Sequence, residues 1–94
     1  MSELTQKRIA LIHKAMIEGK NIKFTYVDRE KVESVRIVSP EVVKKWITME
    51  GVDYAPEIIY MTGHCFIDND ERNFRVERIK WEIEICEKEI KADN

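Results

Sequence analysis

The pattern of apolar residues changes along the chain from a helical to a strand period. Residues 4–18 place apolar side chains at the i, i+3, i+4 spacing of one buried helix face. Those side chains are Ile9, Leu11, Ile12, Ala15 and Met16. Ser2 is placed to cap the helix, and Gly19 to end it, because glycine adopts the left-handed conformation that follows many helices. The sequence therefore predicts one amphipathic helix over residues 4–18.

After Gly19 the apolar residues alternate with a period of two, which is typical of strands. A first strand is predicted from Asn21 to Asp28 and a second from Val32 to Val38, joined by a polar turn over residues 28–31. We expect the second strand to stop at Ser39-Pro40, because proline cannot donate to a central ladder. Residues 42–48 fit either a third strand or a short helical turn.

The remaining chain alternates between irregular segments and strands. They are predicted, in order, as an irregular stretch over residues 50–56, a strand from Ile58 to Ile67, a turn over residues 68–71, a strand from Asn73 to Val76, and a last strand containing Trp81, Ile83 and Ile85. One helix followed by five or six antiparallel strands predicts a mainly β (α+β) fold, a small barrel capped by a helix. We expect one domain over residues 1–94, with the helix at 4–18, the barrel at 21–87 and a frayed end at 88–94.

The strand beginning at Ile58 sorts its residues onto two different faces. One face carries the apolar set Ile59, Met61, Cys65 and Ile67, with Gly63 between them. The other carries Ile58, Tyr60, Thr62, His64 and Phe66. Its phenol, hydroxyl and imidazole groups suit a concave or partly covered surface, although an ordinary mixed face at a barrel rim has the same pattern.

Composition limits the class of protein. The chain has 94 residues, of which 44% are hydrophobic and 36% charged, which is typical of one globular domain. The sequence contains no apolar stretch long enough for a membrane span or a signal peptide, so we expect a cytoplasmic protein without membrane partners. Cys65 and Cys86 are expected to be reduced, with a disulfide between neighbouring strands as the alternative.

The net charge of −2 hides an uneven distribution. Residues 1–80 contain 14 Lys and Arg against 13 Asp and Glu, whereas residues 81–94 contain 2 against 5. The acidity is therefore concentrated at the end of the chain, and basic residues cluster earlier. A local basic surface can bind an anion even when the whole chain is acidic.

Catalytic and metal-binding motifs are not evident in the sequence. The three glycines are scattered, so no phosphate-binding loop is predicted. His13 and His64 have no metal-ligand spacing around them, and residues 68–71 are better explained as a solvated turn than as a calcium loop. Cys65 and its neighbour His64 would point to opposite faces of a strand. We therefore expect no enzyme activity, no metal site and no cofactor.

Arg72, Arg75 and Arg78 form the most unusual cluster, since they recur every three residues around Phe74 and Val76. Arginine is suited to bidentate capture of phosphate or carboxylate groups. Salt bridges to neighbouring acidic residues would explain one or two of the three. Three arginines with aromatic residues nearby favour anion binding.

These segments also resemble a known family, the WYL domain. The resemblance covers residues 8–86, through "AMIEGKNIKFTY", "VRIVSP", "IIYMTGHC" and "DERNFRVERI" in that order. Its most specific part is R-x-F-R-x-x-R-I, beginning at Arg72. The family's Trp-Tyr-Leu triplet is Ile59-Tyr60-Met61 here, and residues 47–57 make a longer connection than the family usually has. The resemblance implies an Sm-like, SH3-type barrel with a basic groove lined by Tyr26, Arg36, Tyr60, His64, Arg72, Arg75 and Arg78.

Two functions are therefore expected from different classes. In the first, the domain is a non-catalytic regulatory module that binds single-stranded nucleic acid, DNA in preference, or a nucleotide in this groove. Family context implies attachment to a helicase, the favoured host, or to a transcription regulator. In the alternative, the domain docks on a partner or dimerises through an edge strand. The sequence leaves the oligomeric state open.

Overall fold

The N-terminal helix lies where the sequence predicts it. The computed structural model describes residues 3–46 and 58–86, and helix α1 extends over Glu3–Glu18. Ile12 and Ala15 are fully buried, and Ile9, Leu11 and Met16 pack against the core from the same side. The predicted cap at Ser2 lies outside the described residues.

Gly19 ends the helix as predicted. Its φ of 66° lies in the left-handed region. The N–H groups of Gly19 and Lys20 donate to the carbonyls of Met16 and Ala15, at 3.2 and 2.8 Å. These two bonds satisfy carbonyls that the helix end would otherwise leave open. The chain thereby turns directly into the first strand.

Five strands form one antiparallel sheet. They are β1 (Asn21–Val27), β2 (Glu33–Trp46), β3 (Ile58–Cys65), β4 (Asp70–Arg75) and β5 (Ile79–Cys86), with a 3₁₀ turn over Val76–Arg78 before β5. Their order in the sheet is β4-β3-β2-β1-β5. The mainly β, helix-first fold class is confirmed. In the part of the chain that the structure describes, no ladder joins β4 to β5, so the barrel is not closed.

The sheet is nevertheless strongly curled. The backbone N–H of Arg75 donates to the hydroxyl of Tyr26 at 3.0 Å, although Arg75 lies on β4 and Tyr26 on β1. Two strands separate β1 from β4, so in a flat sheet the distance would be about 14 Å. The contact therefore requires the barrel-like curvature that the sequence predicts.

The core fills the concave side of this sheet beneath α1. Its largest fully buried side chains are Ile12, Ile22, Val38, Met61, Cys65 and Val76. Phe24 and Phe74 meet edge to face with their ring centroids 5.3 Å apart. The predicted faces of β3 are confirmed from Ile59 to Cys65, since Met61, Gly63 and Cys65 are buried, Ile59 packs against the core, and Tyr60, Thr62 and His64 are half-buried.

The prediction that the second strand stops at Ser39-Pro40 is wrong. Strand β2 continues through Pro40 to Trp46, with an irregularity in register between Pro40 and Val42. Pairing with β1 ends at Val38, so beyond that point β2 is paired, among the described residues, only with β3. The missing N–H of proline is therefore tolerated, as it is at a sheet edge or bulge. This result also assigns residues 42–46 to a strand, and residues 47–57 lie outside the described residues.

Several later boundaries also differ from prediction. Strand β3 ends at Cys65, and Phe66 and Ile67 lie exposed in the following turn, so Ile67 is not part of the apolar face. Strand β4 starts earlier than predicted and ends at Arg75, which places the buried Val76 in the 3₁₀ turn. Trp81 does not share a buried face with Ile83, because the pairing of β5 with β1 is irregular there.

Candidate nucleic-acid interface

Arg36 and Arg72 share one carboxylate at the turn after β3. An oxygen of Asp68 lies 2.5 Å from Nη1 of Arg36 and 3.1 Å from Nε of Arg72. Arg36 also donates to Ser34 at 3.1 Å, and its guanidinium carbon lies 5.7 Å from the centroid of the Phe74 ring. These contacts place Arg36 and Arg72 on the concave side of the sheet, where Asp68 offsets part of their charge.

The environment keeps Arg36 protonated. Burial disfavours its charge, but hydrogen bonds to the Cys65 thiol and the Asp68 carboxylate outweigh that effect and raise the pKa of Arg36 above its usual value. The side chain is only 22% exposed. Arg36 is therefore a fixed cation that packs against the aromatic core.

Tyr26 is part of the same concave side. Its ring meets those of Phe24 and Phe74 edge to face, at centroid distances of 6.3 and 5.0 Å. Its hydroxyl accepts the Arg75 backbone N–H. Because both ring and hydroxyl have partners, Tyr26 connects β1 to the end of β4.

Tyr60 lies on the opposite, convex side, which we call the outer face. In the ladders, Lys44 of β2 and Arg75 of β4 stand directly across from Tyr60. Residues paired in this way share one face of a sheet, so Tyr60 lies between two cations. A groove of about 270 Å³ is lined by Lys44, Tyr60, Thr62 and Asn73, and the Thr62 hydroxyl donates to Asn73 at 2.6 Å.

His64 lies at the other end of the outer face, where the surroundings are acidic. It is paired with Glu71, and its ring meets Phe66 edge to face at 4.9 Å. A hydrogen bond with Glu71, and the like charge of that carboxylate, raise the pKa of Glu41, while His64 opposes the shift. An anion would therefore be repelled more strongly near His64 than near Tyr60.

Arg75 and Arg78 have different surroundings. Arg75 forms an ion pair with Glu77, and its Nε atom is buried without a hydrogen-bond partner in the described structure. Arg78 lies in the 3₁₀ turn and lines a separate depression together with Arg29, Lys31, Lys80 and Trp81. Salt bridges to neighbouring acidic residues, which the sequence offers as an alternative to anion binding, are therefore present for Arg72 and Arg75.

The seven predicted site residues thus fall into three groups. Tyr26, Arg36 and Arg72 lie on the concave side, Tyr60, His64 and Arg75 on the outer face, and Arg78 beside the 3₁₀ turn. Lys44 was not predicted as a site residue, because residues 42–48 fitted a strand or a helix and no face could be assigned. Its position opposite Tyr60 follows only from the β2–β3 register.

Residues 3–46 and 58–86 also bear on membrane spans, metal clusters and the state of the cysteines. No helix in this part of the chain is long and apolar enough to cross a membrane. The described side chains of His, Cys, Asp and Glu form no group of three that could hold a metal ion. Cys65 is buried, Cys86 is half-buried, and both are free thiols.

Comparison with known proteins gives a fold likeness. The structure is similar to part of proteasome accessory factor B/C (PafBC) of Arthrobacter aurescens, with a TM-score of 0.70 and 20% sequence identity. The match covers 90% of this chain and 12% of that chain, so this chain spans about an eighth of the length of PafBC. No family model and no curated protein matches the sequence. At this level of identity the likeness concerns the fold alone, and it agrees with the fold that the WYL resemblance of the sequence implies.

Proposed function

We propose that this chain is a non-catalytic accessory domain that binds single-stranded nucleic acid, DNA in preference, or a nucleotide on its outer face. The observation that carries the proposal is the cross-strand row of Lys44, Tyr60 and Arg75. An aromatic ring between two cations can stack on a base while the cations meet the flanking phosphates. Every base offers a face for stacking, so this arrangement suits a ligand of variable sequence.

The surroundings of the row favour this ligand over a small carboxylate. Thr62 and Asn73, which line the groove, are hydrogen-bonded to each other and offer further polar atoms. The groove is partly open to solvent, so a strand can cross it without being enclosed. Arg75 would exchange Glu77 for a phosphate on binding, so we expect the affinity to be weak.

Arg36, Arg72 and Tyr26 have a different role in this proposal. Asp68 offsets part of the positive charge of the two guanidinium groups. The Tyr26 hydroxyl accepts the Arg75 backbone N–H, and its ring packs against the aromatic core. They stabilise the curvature that presents the outer face. The prediction that they contact the ligand directly is therefore replaced in our proposal by a supporting role.

The regulatory part of the proposal rests on the fold likeness and the WYL resemblance. Since this chain spans 12% of PafBC, a domain of this kind can be one part of a longer protein. We propose that ligand binding modulates an attached protein, with a helicase or a transcription regulator as the host. A purified host with and without this domain would show whether oligonucleotide changes its activity.

The alternative is a docking or dimerisation module, which the edge position of β5 favours. Its edge is interrupted by the irregularity at Trp81, and Lys80, Glu82 and Glu84 alternate along it. Bulges and charges of this kind discourage strand addition. We therefore prefer the nucleic-acid proposal.

The test is fluorescence anisotropy of a labelled oligothymidine titrated with wild type, Tyr60→Ala and Lys44→Gln. We expect Tyr60→Ala to weaken binding about tenfold, which corresponds to loss of one stacked base. Lys44→Gln should weaken binding and reduce its salt dependence. Lys14→Gln is the matched control, since Lys14 pairs with Glu18 on α1. Equal affinity for all four proteins would contradict the proposal.

A further inference from the structure

Trp81 combines an exposed indole with an unusual backbone conformation. The residue is 65% exposed and has a φ of 65°, in the left-handed region that bulky residues rarely occupy. Between the β1–β5 pairs at Lys23 and Thr25, β5 has extra residues, so Trp81 lies in a bulge. A strained position is one where glycine or asparagine would be expected, and a tryptophan there points to a use for the side chain.

The structure fixes the position of this tryptophan. Nη2 of Arg8 on α1 donates to the Trp81 carbonyl at 3.2 Å. The Lys80 ammonium lies 4.9 Å from the indole centroid, within the range of a cation–π contact. Lys80 also pairs with Glu33 on β2. Arg8 therefore holds the backbone of Trp81 and Lys80 contacts its ring, while the indole remains accessible to a ligand.

The depression beside Trp81 is basic. Its volume is about 660 Å³. The cations that line it are Arg29, Lys31, Arg78 and Lys80, together with Arg8 from α1. In the described residues Arg29, Lys31 and Arg78 form no ion pair, so their charges are available. Among these cations, the WYL resemblance implied a ligand-binding role only for Arg78.

Two acidic side chains, Asp28 and Glu77, also line the depression. The Asp28 carboxylate accepts the N–H groups of Glu30 and Val32 at 2.8 and 3.0 Å, which holds the β1–β2 turn. Glu77 pairs with Arg75. The lining therefore combines two carboxylates, Asp28 and Glu77, with five cations, and it remains net positive.

We propose that Trp81 and these cations form a second nucleic-acid contact surface, in which the indole stacks on a base and Arg29, Lys31 and Arg78 meet phosphates. This inference rests on the proposed function, since it assumes the same single-stranded ligand. It extends the bound strand beyond the Tyr60 groove to the edge strand β5. An exposed indole beside unpaired cations fits a nucleic acid better than an acidic peptide, which has no base to stack.

The test uses Trp46→Phe, which leaves Trp81 as the single tryptophan fluorophore, and an oligothymidine of about 12 nucleotides. Stacking should quench Trp81 emission with the same midpoint as the anisotropy change of the labelled strand. In the same background, Trp81→Gly should weaken binding about tenfold, because it removes one stacking platform and suits the positive φ. Trp81→Phe should retain most of the affinity.

Charge variants and controls complete the experiment. The double variant Arg29→Gln/Lys31→Gln should reduce the slope of log K against log salt by about 1.4, or about 0.7 for each phosphate that is no longer neutralised. Ile17→Ala is the control for removal of an exposed apolar side chain, since Ile17 is 85% exposed on α1. It should change neither affinity nor slope. Each variant is first compared with wild type by thermal denaturation.

The outcomes separate this inference from the proposed function. Binding that requires Tyr60 but is unchanged in Trp81→Gly, with no quenching, would overturn the second surface and leave the groove intact. Quenching that keeps its midpoint in Tyr60→Ala and disappears in Arg29→Gln/Lys31→Gln would support the surface and contradict the groove. The proposal of a second nucleic-acid surface would be overturned if the Trp81 surface bound a polyglutamate peptide or anionic phosphatidylserine vesicles but no oligonucleotide. Absence of any oligonucleotide binding by wild type would overturn both.

Discussion

Replacing Tyr26 by phenylalanine separates a structural tyrosine from one that faces a ligand. The change keeps the ring that packs against Phe24 and Phe74 but removes the hydroxyl that accepts the Arg75 N–H at 3.0 Å. Loss of a partner for a partly buried N–H costs about 1–2 kcal/mol. For a domain of about this size, each kcal/mol lowers Tm by about 4–8 °C. We therefore expect Tyr26→Phe to melt about 4–16 °C below wild type.

Tyr60→Phe is the matched control for this experiment. The Tyr60 hydroxyl has no hydrogen-bond partner within the described residues, so its removal should change the free energy of unfolding by less than about 0.5 kcal/mol. Both variants would be measured by circular dichroism during thermal and urea denaturation. Below its melting temperature, Tyr26→Phe should still bind oligonucleotide as wild type does. The reasoning is refuted if Tyr26→Phe is as stable as Tyr60→Phe.

Three further variants test the core, the close contact between β3 and β2 at Gly63, and the acidic end of the outer face. Phe74→Ala removes a 3% exposed ring from the core, and we expect a loss of about 3–5 kcal/mol in urea denaturation. Gly63→Ala places a Cβ only 2.3 Å from the Ser39 carbonyl oxygen and should cost about 1–3 kcal/mol or more, seen as a lower Tm. Glu41→Gln should raise Tm at pH 7, and the gain should shrink towards pH 4, as followed by melting at each pH.

The sign of the last effect follows from the direction of the pKa shift. The hydrogen bond with Glu71 raises the pKa of Glu41 in the folded protein, so its stabilising contribution is present at acid pH and is lost as pH rises through the folded pKa. Glutamine removes the repulsion at neutral pH. A gain that is independent of pH would contradict this explanation. A Phe74→Ala melting point within a few degrees of wild type, or an unchanged one for Gly63→Ala, would show that the strand faces or the register are wrong.

Local signals made the helix and the face pattern of β3 predictable. Gly19 and the apolar stripe of α1 depend only on residues close in sequence, and so does the alternation from Ile59 to Cys65. Pro40 wrongly predicted the end of the second strand. Its missing N–H would break a ladder only if β1 extended alongside β2 as far as Pro40, and the pairing with β1 ends at Val38. The left-handed conformation of Trp81 arises from a bulge in the β1–β5 pairing, and neither the tryptophan nor its sequence neighbours indicate it.

The site was less predictable than the fold, since it depends on strand register. Asp68 joins Arg36 to Arg72 although Arg36 lies 32 residues away from it, and no local pattern indicates this contact. Lys44 and Arg75 flank Tyr60 only through the β2–β3 and β3–β4 pairing. Residue types therefore indicated a basic, aromatic ligand surface, whereas pairing decided which residues share it.

The salt dependence of single-stranded DNA binding tests the central claim most directly. Anisotropy of a labelled oligothymidine would be measured with the wild-type chain at several NaCl concentrations. The outer-face row supplies two cations, Lys44 and Arg75, and the second surface adds Arg29, Lys31 and Arg78. At roughly −0.7 per contact, log K should therefore fall against log salt with a slope of about −1.4 for the row alone and about −3.5 for both surfaces. A slope near zero, or no binding at low salt, would contradict the account and favour the docking module.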